Sequence, residues 1–296
     1  MFNSMQEIID YAVEHDITFS EIMIQEEMSL KGISRDEVRA LMKQNIDVMR
    51  DALEKGLSGE GVKSVTGYTG QDAVKLARYS ETSHPLSGHE MVEALKGAIS
   101  TNEVNAAMGI ICATPTAGSS GTIPGILFKL EKSHNLSMNQ MIDFLFAAAL
   151  CGKVIANNAS VAGAIGGCQA EVGSASAIAA AAAVEIFGGS PQASGHAMAL
   201  AISNLLGLVC DPVAGLVEIP CIMRNAIGSG NGLISADLAL AGVESRIPVD
   251  EVIEAMDKVG RNLPASLRET GIGGLAGTPT GEEIKRKIFG PSTVGS

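Results

Sequence analysis

A chain of 296 residues with a net charge of −12 and no basic stripe gives phosphates nothing to dock on, which excludes nucleic acid as a partner. Apolar residues make up 46 % of the chain, yet aromatics supply only 3 % and Trp is absent, so Ala, Leu, Ile, Val and Met must fill the interior. That favours closely packed helices over sheets, and no membrane partner is expected: the most apolar run, 177–184, is too short to span hydrocarbon, and 197–210 is interrupted by Ser203 and Asn204.

The opening MFNSMQEIIDYAVEHD is acidic and lacks a basic-then-apolar export pattern, which points to the cytoplasm and to reduced cysteines. Within it Met5, Ile8, Ile9, Ala12 and Val13 recur at helical spacing behind a capping Ser4, predicting an amphipathic helix. Ser34 with Glu37 forms a capping box ahead of Val38, Leu41, Met42, Met49 and Leu53, predicting a long helix that ends near Gly56. The same signal at Ser87 with Glu90, and at Ser137 with Gln140, predicts two further helix starts. Residues 172–187 read as an Ala-rich central helix closed by Gly188 and Gly189, after which Ser190 and Pro191 supply a cap and a first-turn proline. Helices over 250–259 and 282–288 complete the series, and glycine-rich loops at 56–70, 113–125, 163–173, 228–232 and 271–281 separate the elements. With no repeat of fixed period, the expected fold is all-α, one compact multi-helix domain over 1–296, in which 1–70 could be an acidic helical appendage.

The five cysteines differ in setting. Cys151, inside FLFAAALCGKVIA, and Cys112, inside MGIICA, read as small buried hydrophobes. Cys168 follows two glycines, Cys210 precedes Asp211 and Pro212, and Cys221 follows Pro220, so each lies where a helix is broken and amides are free to bond cluster sulfurs. No CxxC is present, and the spacing alone leaves metal ligation and simple burial both open. The loop Thr114-Pro115-Thr116-Ala117-Gly118-Ser119-Ser120-Gly121-Thr122 gathers hydroxyls and glycines between apolar segments. Such a loop can turn several amides toward one anion, or be an ordinary turn. His89 and His196 are candidates for moving protons, and Lys153, Arg224 and Arg268 for pairing a substrate carboxylate, each with a solvated or structural role as the plainer alternative.

Taken together, NEVNAAMG, TPTAGSSGTIPG, AIGGCQAEVGSA, LGLVCDPVAGLVEIPCIMRNAI and LPASLRETGIGGLAGTPTG resemble the iron-sulfur L-serine dehydratases of bacteria, specifically the alpha chain of the two-subunit form. The resemblance runs from about residue 85 to residue 280, and CDPVAGLVEIPC is its most specific part. It implies a 4Fe-4S cluster on Cys168, Cys210 and Cys221, with one iron left open to take the serine hydroxyl as a Lewis acid. It also implies that a base removes the α proton, and that the resulting aminoacrylate goes on to pyruvate and ammonia. The loop residues Thr114, Thr116, Gly118, Ser119, Ser120 and Gly121 then become candidates for holding the carboxylate of L-serine, with Asn105 as a companion.

Nothing in residues 1–85 resembles the smaller domain of single-chain relatives, so the resemblance implies a separate beta chain, a hetero-oligomer, and a base supplied by that partner. His89, His196 and Lys153 are the alternatives for the base within this chain. The ending FGPSTVGS holds no cysteine, so the self-inhibition of one single-chain type is not expected. Three rivals remain: a pyridoxal-phosphate dehydratase, for which no lysine stands in a recognisable motif, a non-catalytic helical scaffold or sensor with buried structural cysteines, and, weakest, a membrane protein.

Overall fold

The computed structural model describes residues 2–290, which form thirteen α-helices and no strand. The ending discussed above lies largely outside the described residues. At the centre is α9 (Ser174–Ile186), whose residues 174–184 are all buried. Its Ala side chains add little bulk, so α6 (Thr122–His134), α7 (Met138–Asn158), α10 (Pro191–Asn204) and α11 (Cys221–Leu240) all pack directly against it. Larger side chains of the surrounding helices then fill the core: Ile126, Leu127, Met141, Phe144 and Leu150 are fully buried, each contributing about 1.5–3 kcal/mol.

The described helix that most resembles a membrane span is α7, not either run singled out from the sequence, and its apolar residues are largely covered by α2 (Phe19–Lys31), α3 (Arg35–Ser58) and α9. Nor are the first helices an outlying appendage in space. Met5 and Ile8 of α1 (Met5–His15), Phe19 of α2 and Ile46 of α3 belong to the same apolar cluster as α7 and α9.

The Ser4, Ser34, Ser137 and Ser190 caps form as expected, the middle two as complete capping boxes. The expected box at Ser87 does not form. A turn in which the Gly88 amide donates to the Pro85 carbonyl makes Gly88 the cap of α5 (His89–Ala106), leaving Ser87 outside the helix. The long helix α3 likewise runs through Gly56 to Ser58, capped by Gly59. Gly56 is needed for close packing, since a Cβ there would lie 2.2 Å from the Ser100 hydroxyl oxygen.

Three acidic residues cap helices remote from them in sequence. Asp250, on α12 (Val249–Asn262), accepts from the Met5 and Gln6 amides of α1 at 2.7 and 3.0 Å. Glu185 of α9 accepts from Phe19 and Ser20 of α2 at 2.6 and 3.0 Å. Glu103 of α5 accepts from Asp72 at 2.6 Å and from Ala73 at 3.4 Å, at the start of α4 (Asp72–Thr82), whose own cap residue makes no side-chain capping bond. Each carboxylate meets the positive end of a helix dipole and joins an N-terminal element to the body.

Candidate functional site

Ahead of α9 lie the four-residue turn α8 (Gly163–Gly166) and a π-turn at Gln169–Gly173 that runs straight into α9. Cys168 sits at their junction, and π-turns of this kind are common at functional sites. Cys210 lies in extended chain. Its amide donates to the Leu267 carbonyl at 2.9 Å, and its own carbonyl accepts from the Glu269 amide at 2.7 Å. Cys221 is the first residue of α11.

All three thiols are buried, at 3, 3 and 8 % exposure. Burial pushes Cys168 up to about 12, although the Arg224 guanidinium beside it opposes the rise. Burial also raises Cys221 to about 12 and lifts Cys210 strongly, with Cys168 adding to the rise of both. The thiols are therefore close enough to hinder one another's ionisation. Cys151 is fully buried in α7, and Cys112 is half-buried with its thiol donating to the Asn45 carbonyl. Both behave as core side chains.

The hydroxyl-rich loop packs against the same region. Asn225 of α11 binds it by both ends of its amide. Its oxygen accepts from the Gly121 and Thr122 amides at 3.0 Å each and from the Thr122 hydroxyl at 3.1 Å. Its nitrogen donates to the Gly118 carbonyl at 2.7 Å and to the Cys221 carbonyl at 3.0 Å. Asn105 donates to the Ala117 carbonyl at 3.3 Å. Gly121 must be glycine, because a Cβ there would lie 2.1 Å from the Ala98 carbonyl oxygen.

Inside the loop, Ser119 donates to the Thr114 carbonyl at 3.0 Å and Ser120 to the Ala117 carbonyl at 2.8 Å. These hydroxyls shape the turn instead of standing free. The amides of residues 117–119 have no hydrogen-bond partner among the described residues. Behind the loop, Asn102 is fully buried with neither end of its amide paired.

Glu171, in the π-turn, links loop and thiols. Thr116 donates to one of its oxygens at 2.7 Å, and the Cys210 thiol lies 3.9 Å from the other. Gly118 and Gly163 close round this carboxylate: a Cβ on either would come within 3.0 or 2.6 Å of it. Burial raises Glu171 above the usual carboxylate range, against the Thr116 hydrogen bond. Sequence reasoning missed Glu171, Asn225 and Asn102. A lone Glu among Ala and Gly was the available signal for the first.

The other candidates lie apart or are otherwise engaged. Lys153 pairs with Glu26. His89 is at the N-terminus of α5, bonded to Ser80 at 3.2 Å, and sixteen residues at 1.5 Å each place it about 24 Å along the helix from Asn105. His196 lies on α10 next to Gly195, which packs against Ile9 and Val249. Arg224 donates to the Val209 carbonyl at 2.7 Å and pairs with Asp211 at 2.8 Å, so it braces the cysteine segment from within. Arg268 bridges Cys210 through the main chain, with its Nε buried and unpaired.

The body is thus all-α, and one buried carboxylate joins the hydroxyl-rich loop to the thiol of Cys210. The chain belongs to the serine dehydratase alpha chain family, whose profile matches residues 14–276. Over 290 residues it is 56 % identical to a Bacillus subtilis (strain 168) protein named "Probable L-serine dehydratase, alpha chain", covering 98 % of this chain and 96 % of that one. It is 44 % identical to the L-serine dehydratase alpha chain of Peptoniphilus asaccharolyticus, over 98 % of this chain and 99 % of the relative. Against L-serine dehydratase 2 of Escherichia coli (strain K12) it is 35 % identical over 93 % of this chain, but the match covers only 61 % of that longer protein.

Proposed function

We propose that this chain is the alpha subunit of an L-serine dehydratase that converts L-serine to pyruvate and ammonia, with a 4Fe-4S cluster held by Cys168, Cys210 and Cys221. The names of its relatives support the activity and the alpha-chain assignment. The greater length of the Escherichia coli relative supports a separate beta chain supplying what that protein carries in one polypeptide. Five free cysteines accord with a reducing compartment such as the cytoplasm.

The observation that carries the reading is Glu171, which ties the substrate-loop candidate Thr116 to the thiol of Cys210. Three buried cysteine thiols are the donor type iron-sulfur clusters take, each thiolate binding a different iron. Among the described residues no group of three His, Cys, Asp or Glu is placed to hold a single metal ion. When bound, a cluster with three protein ligands supplies an open iron as Lewis acid for the substrate hydroxyl.

The chain's own residues bind and orient. The amides of residues 117–119 receive the serine carboxylate, while Ser119, Ser120, Asn105 and Asn225 hold the turn that presents them. Glu171 fixes Thr116 by accepting its hydroxyl hydrogen. His89, His196 and Lys153 stand away from this loop, so the group that takes the α proton comes from the beta chain. Loss of that proton and of hydroxide leaves an aminoacrylate, whose imine tautomer water converts to pyruvate and ammonia.

The test is anaerobic assay of pyruvate formation from L-serine by the chain reconstituted with iron and sulfide, alone and with its candidate partner. Activity requiring both chains and iron is expected. Activity dependent on pyridoxal phosphate, or none with iron-loaded protein and partner together, overturns the reading.

A further inference from the structure

Between two of the candidate ligands runs the segment 210–221, and its fastening reaches beyond the residues discussed so far. At one end Cys210 is bonded to residues 267–269, and Asp211 accepts from the Leu275 amide at 2.7 Å. In the middle the Val213 amide donates to the Ile219 carbonyl at 2.8 Å, folding the segment back on itself. Near the other end stands Glu218, three residues before Cys221. Its carbonyl accepts from the Ile222 amide at 3.0 Å, so it forms the entry to α11. Its side chain is 8 % exposed, and one carboxylate oxygen accepts from two hydroxyls of the N-terminal third, Thr66 at 2.8 Å and Thr69 at 2.9 Å.

Residues 64–69 form a tight turn. The Ser64 amide donates to the Thr69 carbonyl and the Gly67 amide to the Ser64 carbonyl, both at 3.0 Å, and the Ser64 hydroxyl lies 3.1 Å from that of Thr66. Its larger side chains do not anchor it in the core. Val65 is 86 % exposed, and Val65 and Tyr68 border a surface cleft whose far wall is Lys287 and Ile288 of α13 (Pro279–Phe289). The side-chain hydrogen bonds that tie the turn to the 210–221 segment are those of Thr66 and Thr69 to Glu218, and Thr66 and Tyr68 also line a pocket with Val213 and Ile219. The bonds that fasten it also fix Glu218, a buried carboxylate stabilised by hydroxyls and too costly to leave unpaired.

We propose that the 64–69 turn is a latch that, through Glu218, holds the Cys210–Cys221 segment in ligand geometry and so governs how firmly the cluster is retained. The inference rests on the cluster reading above. Thr66, Thr69 and Glu218 are positioning residues that act through Cys221. Opening the latch frees the entry to α11 to move, and Cys221 is released first because Cys210 keeps its bonds to residues 267–269.

The experiment compares wild type with a Thr66→Val/Thr69→Val pair and a Thr66→Ser/Thr69→Ser pair, all reconstituted anaerobically. Iron per chain, the rate at which the visible band bleaches on exposure to air, and the melting temperature of the iron-free proteins are measured. The Val pair, which removes both hydroxyl bonds to Glu218, is expected to bleach at least about tenfold faster. The Ser pair, which restores both hydroxyls, should match wild type in bleaching rate and in iron-free melting temperature, while the iron-free Val pair melts lower. Glu218→Gln still accepts hydroxyl hydrogens and should fall between wild type and the Val pair, which provides a second test should the Val pair fold poorly. A wild-type protein that takes up no iron overturns the cluster reading and the latch together. An iron-loaded wild type whose Val pair bleaches at the same rate overturns the latch alone.

Discussion

Replacing Asn225 by Ala tests how strongly α11 and the hydroxyl-rich loop depend on one another. The side chain is fully buried and makes bonds to five groups. Truncation leaves the Gly121 amide without an acceptor and the Thr122 amide with only the Ser119 carbonyl, and it takes this donor from the Gly118 and Cys221 carbonyls. The Thr122 hydroxyl can turn elsewhere. One orphaned buried amide at roughly 1–3 kcal/mol, with the bonds lost by Thr122, Gly118 and Cys221 added, gives an expected loss of about 2–4 kcal/mol. Ser229→Ala is the control one helical turn on. Its single hydroxyl hydrogen is shared between the Thr122 and Asn225 carbonyls, so its loss should cost about 0.5–1.5 kcal/mol. Urea unfolding of the iron-free proteins followed by circular dichroism measures both. A difference between the two variants of less than about 1 kcal/mol would refute the reasoning, because the loop would then be held by something other than the Asn225 amide.

Gly163→Ala should abolish iron uptake in anaerobic reconstitution, since its Cβ would lie 2.9 Å from the Cys210 sulfur and 2.6 Å from a Glu171 oxygen; wild-type iron content would contradict that geometry. Thr116→Val removes the hydroxyl bonded to Glu171 and should raise KM for L-serine about tenfold or more with iron unchanged, whereas an unaltered KM removes Thr116 from substrate positioning. Glu185 gives a pH signature. Burial raises its folded-state value above the ordinary 4.5, so the folded protein binds this proton more tightly than the unfolded chain. The stabilisation is complete below that ordinary value and is lost as the pH climbs through the raised one. Urea titrations from pH 4 upward should therefore show a flatter loss of stability in Glu185→Gln than in wild type. Parallel curves would mean that the carboxylate does not carry the effect.

Most of the fold could be read in the chain because its helices announce their own starts. Ser34 with Glu37 and Ser137 with Gln140 are local devices, complete within four residues. Ser87 failed because Pro85 and Gly88 formed a competing turn, a choice that the box pattern does not encode. The caps supplied by Asp250, Glu185 and Glu103 were beyond reach, because donor and acceptor are separated by 245, 166 and 31 residues. In the site, the placement of Cys168, Cys210 and Cys221 at helix breaks was legible from neighbouring Gly and Pro, whereas their mutual approach was not. Glu171 was hidden because a single carboxylate in a helical, Ala-rich stretch looks like a solvated charge. Only the folding of Thr116, Gly118 and Gly163 around it distinguishes it. Ser119 and Ser120 are candidates for the substrate carboxylate in the sequence, which shows that a side chain is polar but not which carbonyl it has already bonded.

The most direct measurement of the central claim is iron and sulfide per chain, with the visible absorption, in oxygen-free preparations of wild type and of single Cys→Ser variants. Three buried thiols holding one cluster predict that Cys168→Ser, Cys210→Ser and Cys221→Ser each lose the iron and the brown band, while Cys151→Ser, altered in the middle of α7, keeps both. A colourless wild type after reconstitution, or equal iron loss in all four variants, would contradict it.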